Sequence, residues 1–329
     1  MGAFGDIGYG LLAIAIGIVV SLGVYKGLDL LVNLFSEKAQ KKIRALGFLL
    51  PAALLLVVVL LIPLVQTFFL SFTNKSGKEF IGLQNYVELF SSPEFLGILL
   101  NNFLWIAFVP AITVAIGLLV ATLGNNVGPR REKIFKSLIF MPMSISFVSA
   151  ATIWSFIYVY VPPGRPEIGL LNSIVVAFGG SPQPWLIIDT ARFNSFLLMI
   201  IIIWLQAGFA MVLLSAAIKA VPEETIEAAR IDGANTVQVF FQVIVPQIRA
   251  TIMSVFITVL ILVMKIFDIV LAMTGGQFNT SVLGFEFYKQ FFLNFNTGAA
   301  SAIVTILTIL VAPLMWIQIR SARKQEALR

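Results

Sequence analysis

The sequence predicts an all-α integral membrane protein of about seven transmembrane helices, and three observations carry that reading. The 329-residue chain is 59% hydrophobic and 12% charged, with a mean hydropathy of +0.98, far above soluble globular domains. About seven apolar runs reach the roughly 20 residues that a helix needs to cross the hydrocarbon core. The runs are continuous in Leu, Ile and Val and lack the alternation of a barrel strand. Backbone in lipid must satisfy its own hydrogen bonds, so helices are required.

In chain order the runs are residues 8–35, 46–70, 95–123, 134–160, 196–218, 251–273 and 299–319. The first has no basic residue before it and stays apolar beyond Lys26. It is therefore expected to be a retained helix, not a cleaved signal. Residues 1–45 are read as an added N-terminal helix with a basic linker, and 46–329 as the main transmembrane domain. Residues 71–94 carry Gly82-Leu83-Gln84-Asn85-Tyr86, the start of an amphipathic stretch. In residues 161–194, Pro and Gly bracket an apolar piece, 168–178. Both are expected to be short interfacial helices.

Basic residues set the orientation. Lys38, Lys41, Lys42, Arg44, Arg130, Arg131, Lys133, Lys136, Lys219, Arg230, Arg249 and the tail Arg320, Arg323, Lys324 and Arg329 share one side. Only Lys75, Lys78, Arg165, Arg192 and Lys289 fall on the other. The N-terminus is expected outside, with the C-terminus and residues 219–250 in the cytoplasm. The basic side faces anionic membrane lipid, which accounts for the net charge of +6 without nucleic acid. With no Cys and no His, disulfides, thiolate chemistry and His-ligated metals are excluded.

The segment 219–250 is the most organised polar stretch. Pro222 suits a first helical turn, and Glu223 and Glu224 lie near the positive end of the helix dipole. Gly233 suits a left-handed helix end. Asn235 and Gln238 stand where a capping box would begin the next helix, and Pro246 marks the approach to the next span. The prediction is helix, tight turn, helix. Ala228 and Ala229 are small enough for another protein to approach the backbone closely, and Glu227 can pair with a partner's cation. A solvated connection between spans is the competing reading of the same residues.

Glu227-Ala228-Ala229, then Gly233, then Val243-Ile244-Val245-Pro246 resembles the EAA signature of binding-protein-dependent ABC importer permeases. Val243 and Val245 stand where that signature has Ile and Leu. Leu70-Ser71-Phe72-Thr73-Asn74, Gly82-Leu83-Gln84-Asn85-Tyr86, Phe267-Asp268-Ile269 with Thr274-Gly275-Gly276, and Gly298-Ala299-Ala300-Ser301-Ala302 resemble the sugar-importer branch. Gln277-Phe278 replaces its usual Gly-Pro. The resemblance covers roughly residues 48–320 and implies a six-helix core, with the first helix as an addition.

It also implies partners: a second permease, two cytoplasmic ATPase subunits that bind ATP and Mg, and an extracytoplasmic solute-binding protein. Glu227, Ala228, Ala229, Asp232, Gly233 and Pro246 would belong to the coupling helix segment that docks on an ATPase subunit. No ATPase site is expected here. The nearest stretch to a phosphate loop, Ser76-Gly77-Lys78-Glu79, has Phe72 where the first Gly belongs.

Four charges fall within spans: Lys26, Asp29, Lys265 and Asp268. Each costs roughly 2.5–3.5 kcal/mol at the midplane of a lone helix, and each pair is spaced to join along one helix face. Sugars are held by aromatic faces and by amides or acids that read hydroxyls. Trp204, Gln206, Asp268 and Asn294 are the pathway candidates, with Trp154 and Tyr158 beside them; lipid contact or packing competes for each aromatic. An ion-coupled secondary transporter is the alternative function, and it would need ion sites near the midplane.

Overall fold

The computed structural model describes residues 49–125, 128–162 and 164–326, with 12, 15–17, 19–20, 22–27 and 29–30. It divides into two units, Met1–Phe69 and Leu70–Arg329. The basic cluster 38–44, the linker and half of the first predicted span lie outside the described residues. The described residues between 12 and 30 are helical. The first unit also holds all but the last residue of α1, Leu49–Leu70, in which Val57–Leu61 widens to a π-turn just before Pro63, which cannot donate to the ladder.

The second unit is helical, and its described residues include one isolated β-bridge, Thr73 to Phe80. Its elements are α2 Gln84–Ser91, α3 Pro93–Asn125, α4 Pro129–Phe140, α5 Phe147–Tyr158, α6 Leu170–Ala177 and α7 Phe193–Lys219. There follow α8 Glu223–Ile231, α9 Thr236–Met264, α10 Asp268–Met273, α11 Leu283–Tyr288 and α12 Thr297–Glu326. Among the described residues five helices are long and apolar enough to cross a membrane, and the pair α4 and α5 forms a sixth, bent span. Helices form in both stretches expected to lie at the interface, as α2 and α6.

The helices α3 and α7 are the centre of this unit. They run parallel: Asn101 meets Ser195 near their starts, Gly117 meets Ala210 midway, and Asn125 meets Ser215 at their ends. A parallel pair requires the chain between to return once across the membrane, and α4 with α5 does so. That run is not the straight helix expected for 134–160. It bends by 104° through a 3-10 turn, Met141–Ser144, where Pro142 interrupts the ladder and Ser146 caps α5 through the Ser149 amide. The turn seats on Gly208 of α7, where an added Cβ would lie 2.4 Å from the Ile139 carbonyl oxygen.

Helix α9 runs antiparallel to α3. Its Val255 packs with Val114 and Ala121, and Val259 and Val263 with Trp105 and Val109. It ends at Met264, short of the expected 273. Lys265 and Ile266 close with tight i−3 bonds, Phe267 leaves helical geometry, and Asp268 opens α10. Lys265 is exposed, Asp268 half-buried, and among the described residues no ion pair joins them. The expected pairing therefore fails because the helix it needed is broken between them. Helix α12 begins beside α3, with Ile303 and Ile306 against Phe95 and Ile98.

Candidate functional site

The segment after α7 folds as its residues dictate. Pro222 is the N-cap of α8, one position before the first-turn place expected for it. Glu223 and Glu224 occupy the first turn and Arg230 the last, each matched to the helix dipole. Gly233 takes φ +86°. Around it the Ala234 amide donates to the Ala229 carbonyl at 3.0 Å and the Gly233 amide to Arg230 at 3.1 Å. This pair of bonds closes a Schellman motif.

Asn235 then caps α9. Its side chain accepts from the Gln238 amide at 2.9 Å and Gln238 accepts from the Asn235 amide at 2.8 Å, completing the capping box. The first turns of α9 widen to a π-turn over Val239–Ile244. The wider turn absorbs the donor lost at Pro246 and its ring's clash with the preceding turn. In the angle between α8 and α9 lies an open groove of about 350 Å³, lined by Ala229, Asp232, Gly233, Ala234, Gln238 and Gln242 among others. Glu227 and Ala228 are exposed and Ala229 half-buried. Ile231, Val237 and Phe241 are apolar yet 85%, 65% and 62% exposed, so the turn presents grease as well as charge.

A polar cluster ties this turn to the bundle. Glu132 of α4 accepts from both Lys136 and Lys219 at 2.5 Å. Lys136 also donates to Ser215, and Ser215 to Asn125 at 2.8 Å. Lys219 is the last residue of α7, so α8 hangs from an anchored helix end.

At the opposite ends of α3 and α7 the loop between α10 and α11 is gripped from several sides. Asn101 donates to the Asn279 and Ser281 carbonyls at 2.5 and 2.8 Å, Arg192 to Asn279 at 2.6 Å, and Asn194 to Phe278 at 2.7 Å. Gly275, Gly276, Phe278 and Asn279 all have positive φ. That succession of left-handed residues is the turn made by Gln277-Phe278. These bonds hold it against its strain.

Beside the loop lies a polar cavity of about 530 Å³, whose lining includes Glu94, Arg192, Ser281, Phe285, Lys289 and Asn294. A smaller one of about 250 Å³ adjoins it across Glu94, Ile98, Lys289 and Asn294 and adds Glu88 and Glu286. Lys289 pairs with Glu94 at 3.0 Å and stands 3.6 Å from Glu286. Burial alone would lower the Lys289 pKa, but Glu94 and Glu286 outweigh it and hold the amine above the ordinary lysine value.

The predicted pathway residues are dispersed. Gln206 is buried and Trp204 half-buried in α7, with Trp204 edge-on to Trp154 at 5.8 Å. Tyr158 is buried and donates to the Leu197 carbonyl. Asp268 stands at the break before α10. Asn294 alone of these lines the cavities. Sequence reasoning missed Asn101, Arg192, Glu286 and Lys289. The signal available was a run of amides and charges at the apolar helices' ends.

The family model for the binding-protein-dependent transport system inner membrane component matches residues 113–326. The chain belongs to this family. It is a permease of the inner membrane, as the EAA-like residues implied. It is 49% identical over 292 residues to the alpha-glucoside transport system permease protein AglF of Rhizobium meliloti (strain 1021), covering 88% of this chain and 85% of that one. It is 46% identical over 279 residues to the osmoprotective compounds uptake permease protein GgtC of Synechocystis, covering 85% and 99%. In fold the permease resembles a chain of a bacterial ABC transporter involved in the import of the acidic polysaccharide alginate. The TM-score is 0.73 at 20% identity, over 87% of this chain and 99% of that one.

Proposed function

We propose that this permease carries a carbohydrate, an α-glucoside or another oligosaccharide, into the cell by alternating access coupled to ATP hydrolysis in partner subunits. The relative named for alpha-glucoside transport supports the solute class. The observation that carries the coupling is the self-closed turn of α8, with exposed Glu227, Ala228 and Gly233 beside exposed Ile231 and Phe241. Such a rigid, partly apolar projection suits docking into a cleft of an ATPase subunit. Asp232 lines its groove, and Pro246 sets the widened turn at the base of α9.

The proposed assembly has a second permease, two ATPase subunits holding ATP and Mg, and an extracytoplasmic solute-binding protein. The N-terminus lies outside and the C-terminus in the cytoplasm. The permease itself hydrolyses nothing. ATP binding favours one of two states, and the α8 turn passes that preference to the bundle as a rigid-body motion. Trp204, Gln206, Asp268 and Asn294 remain the proposed pathway residues of this chain. The ion-coupled secondary transporter is the weaker reading, since membership of an ABC importer family favours a separate ATPase.

The test is co-purification of the full chain with a second permease and a sugar-importer ATPase from its own genome, with and without Gly233→Glu. ATPase retained by wild type and lost from the variant supports the docking role. ATPase absent from both overturns it.

A further inference from the structure

The two adjoining cavities at the starts of α3 and α7 hold features that packing leaves unexplained. Glu286 of α11 is 5% exposed, and its Oε2 accepts no hydrogen bond. Its other oxygen takes the Gln290 amide at 2.8 Å. Oε2 stands 3.6 Å from Lys289 Nζ, beyond hydrogen-bond reach. Ser281, 8% exposed, likewise keeps a hydroxyl with no partner. A buried carboxylate oxygen held only by an ion pair at 3.6 Å and a buried hydroxyl that makes no hydrogen bond are both costly to leave so. Both residues line the cavities, Ser281 the larger and Glu286 the smaller.

The charges narrow the ligand. Over both cavities the carboxylates are Glu88, Glu94 and Glu286 and the cations Arg192 and Lys289. Three against two leaves a slight negative balance, which disfavours an anionic ligand. No group of three or more acids with metal-binding geometry exists among the described residues, so a bare divalent cation has no cage here. What fits is a ligand that donates through hydroxyls to carboxylates, accepts from Lys289 and from amides such as Asn294, and lays an apolar face on Phe285. The larger volume, about 530 Å³, is within the range of small-molecule sites, about 300–1,000 Å³.

We propose that these cavities form a vestibule that binds a neutral polyhydroxylated solute, with Glu286, Lys289, Ser281 and Asn294 reading its hydroxyls. The vestibule rests on the carbohydrate-import reading and sharpens it. It selects neutral sugars over acidic or phosphorylated ones before they reach the midplane. Trp204 and Gln206 of α7 take no part in this selection, because neither lines either cavity.

The test is saturation-transfer NMR on the full chain in nanodiscs, with sucrose as the neutral probe and gluconate as the anionic one. Sucrose should contact the wild type and gluconate should not. Glu286→Leu and Asn294→Ala should each weaken sucrose about tenfold, as expected for loss of a hydrogen bond to a charged or polar group. Sucrose contact absent from the wild type, equal contact from gluconate, or undiminished contact in both variants overturns the vestibule. If Glu286→Leu fails to fold, Asn294→Ala decides alone. Loss of sucrose contact with ATPase co-purification intact defeats the vestibule only. Failed co-purification with sucrose contact intact defeats the coupling reading only.

Discussion

Gly117 of α3 and Ala210 of α7 touch where the two parallel helices cross. A Cβ added at Gly117 would lie 2.5 Å from the Ala210 Cβ and 3.0 Å from its carbonyl carbon. Neither atom belongs to a flexible side chain that could swing aside. Gly117→Ala gains up to about 1 kcal/mol of helix propensity, but overpacking a close contact costs about 1–3 kcal/mol. The variant should melt at a lower temperature than wild type in detergent. A melting temperature equal or higher would mean that the helices separate at little cost.

Gly233 poses the opposite case. Nothing lies within 4 Å of a Cβ built there, yet φ is +86°. Its substitution is opposed by backbone conformation alone, and Asn tolerates that conformation better than most residues. Gly233→Asn should therefore keep most ATPase co-purification and Gly233→Glu should lose it, both melting close to wild type. Equal loss in the two variants would place the defect in side-chain bulk at the docking face.

Asn101 is 1% exposed, and its amide satisfies two carbonyls of a loop some 180 residues away. Asn101→Asp preserves size and removes both donors. The Ser281 carbonyl is orphaned at a cost of order 1–3 kcal/mol, the Asn279 carbonyl keeps only Arg192, and the left-handed residues 278 and 279 lose part of what restrains them. Hydrogen exchange at residues 278–283 should rise sharply while the far ends of α3 and α7 stay protected. Unchanged exchange would show that Arg192 and Asn194 hold the loop unaided.

Glu132 joins two lysines from different helices, so Glu132→Gln removes the charge that gathers them. Lys219 should then release α4, and exchange should rise across residues 215–225. Transport per ATP hydrolysed should fall more than ATPase binding does. Equal loss of both would assign Glu132 to folding and leave coupling untouched.

What was legible in the sequence was local. The α8 turn is written in Pro222, Gly233, Asn235 and Gln238, each acting on backbone within a few residues, and its structure follows closely. Five of the seven apolar runs correspond to single helices long enough to cross a membrane, because membrane thickness sets a length. Hydropathy could not see the bend at Met141–Ser144, which interrupts apolar sequence without changing its polarity, and the apolar residues on either side of Lys265 and Asp268 hid the break at Phe267. Asp268 was consequently placed on a helix face with Lys265 that does not exist. The loop clasp and the cavities depend on Asn101, Arg192 and Lys289, whose partners lie 87–195 residues away. No short window of sequence could bring them together.

The α8 turn is closed by its own hydrogen bonds before any partner arrives. Ordering a flexible segment at an interface costs about 0.5–1.5 kcal/mol for each immobilised side chain, besides its backbone. A subunit that meets this turn meets a finished shape and loses little entropy in taking hold of it. Contact can then stay modest in strength and still be specific, and a motor that must grip and shift its load on every turnover gains by letting go as readily as it grasps.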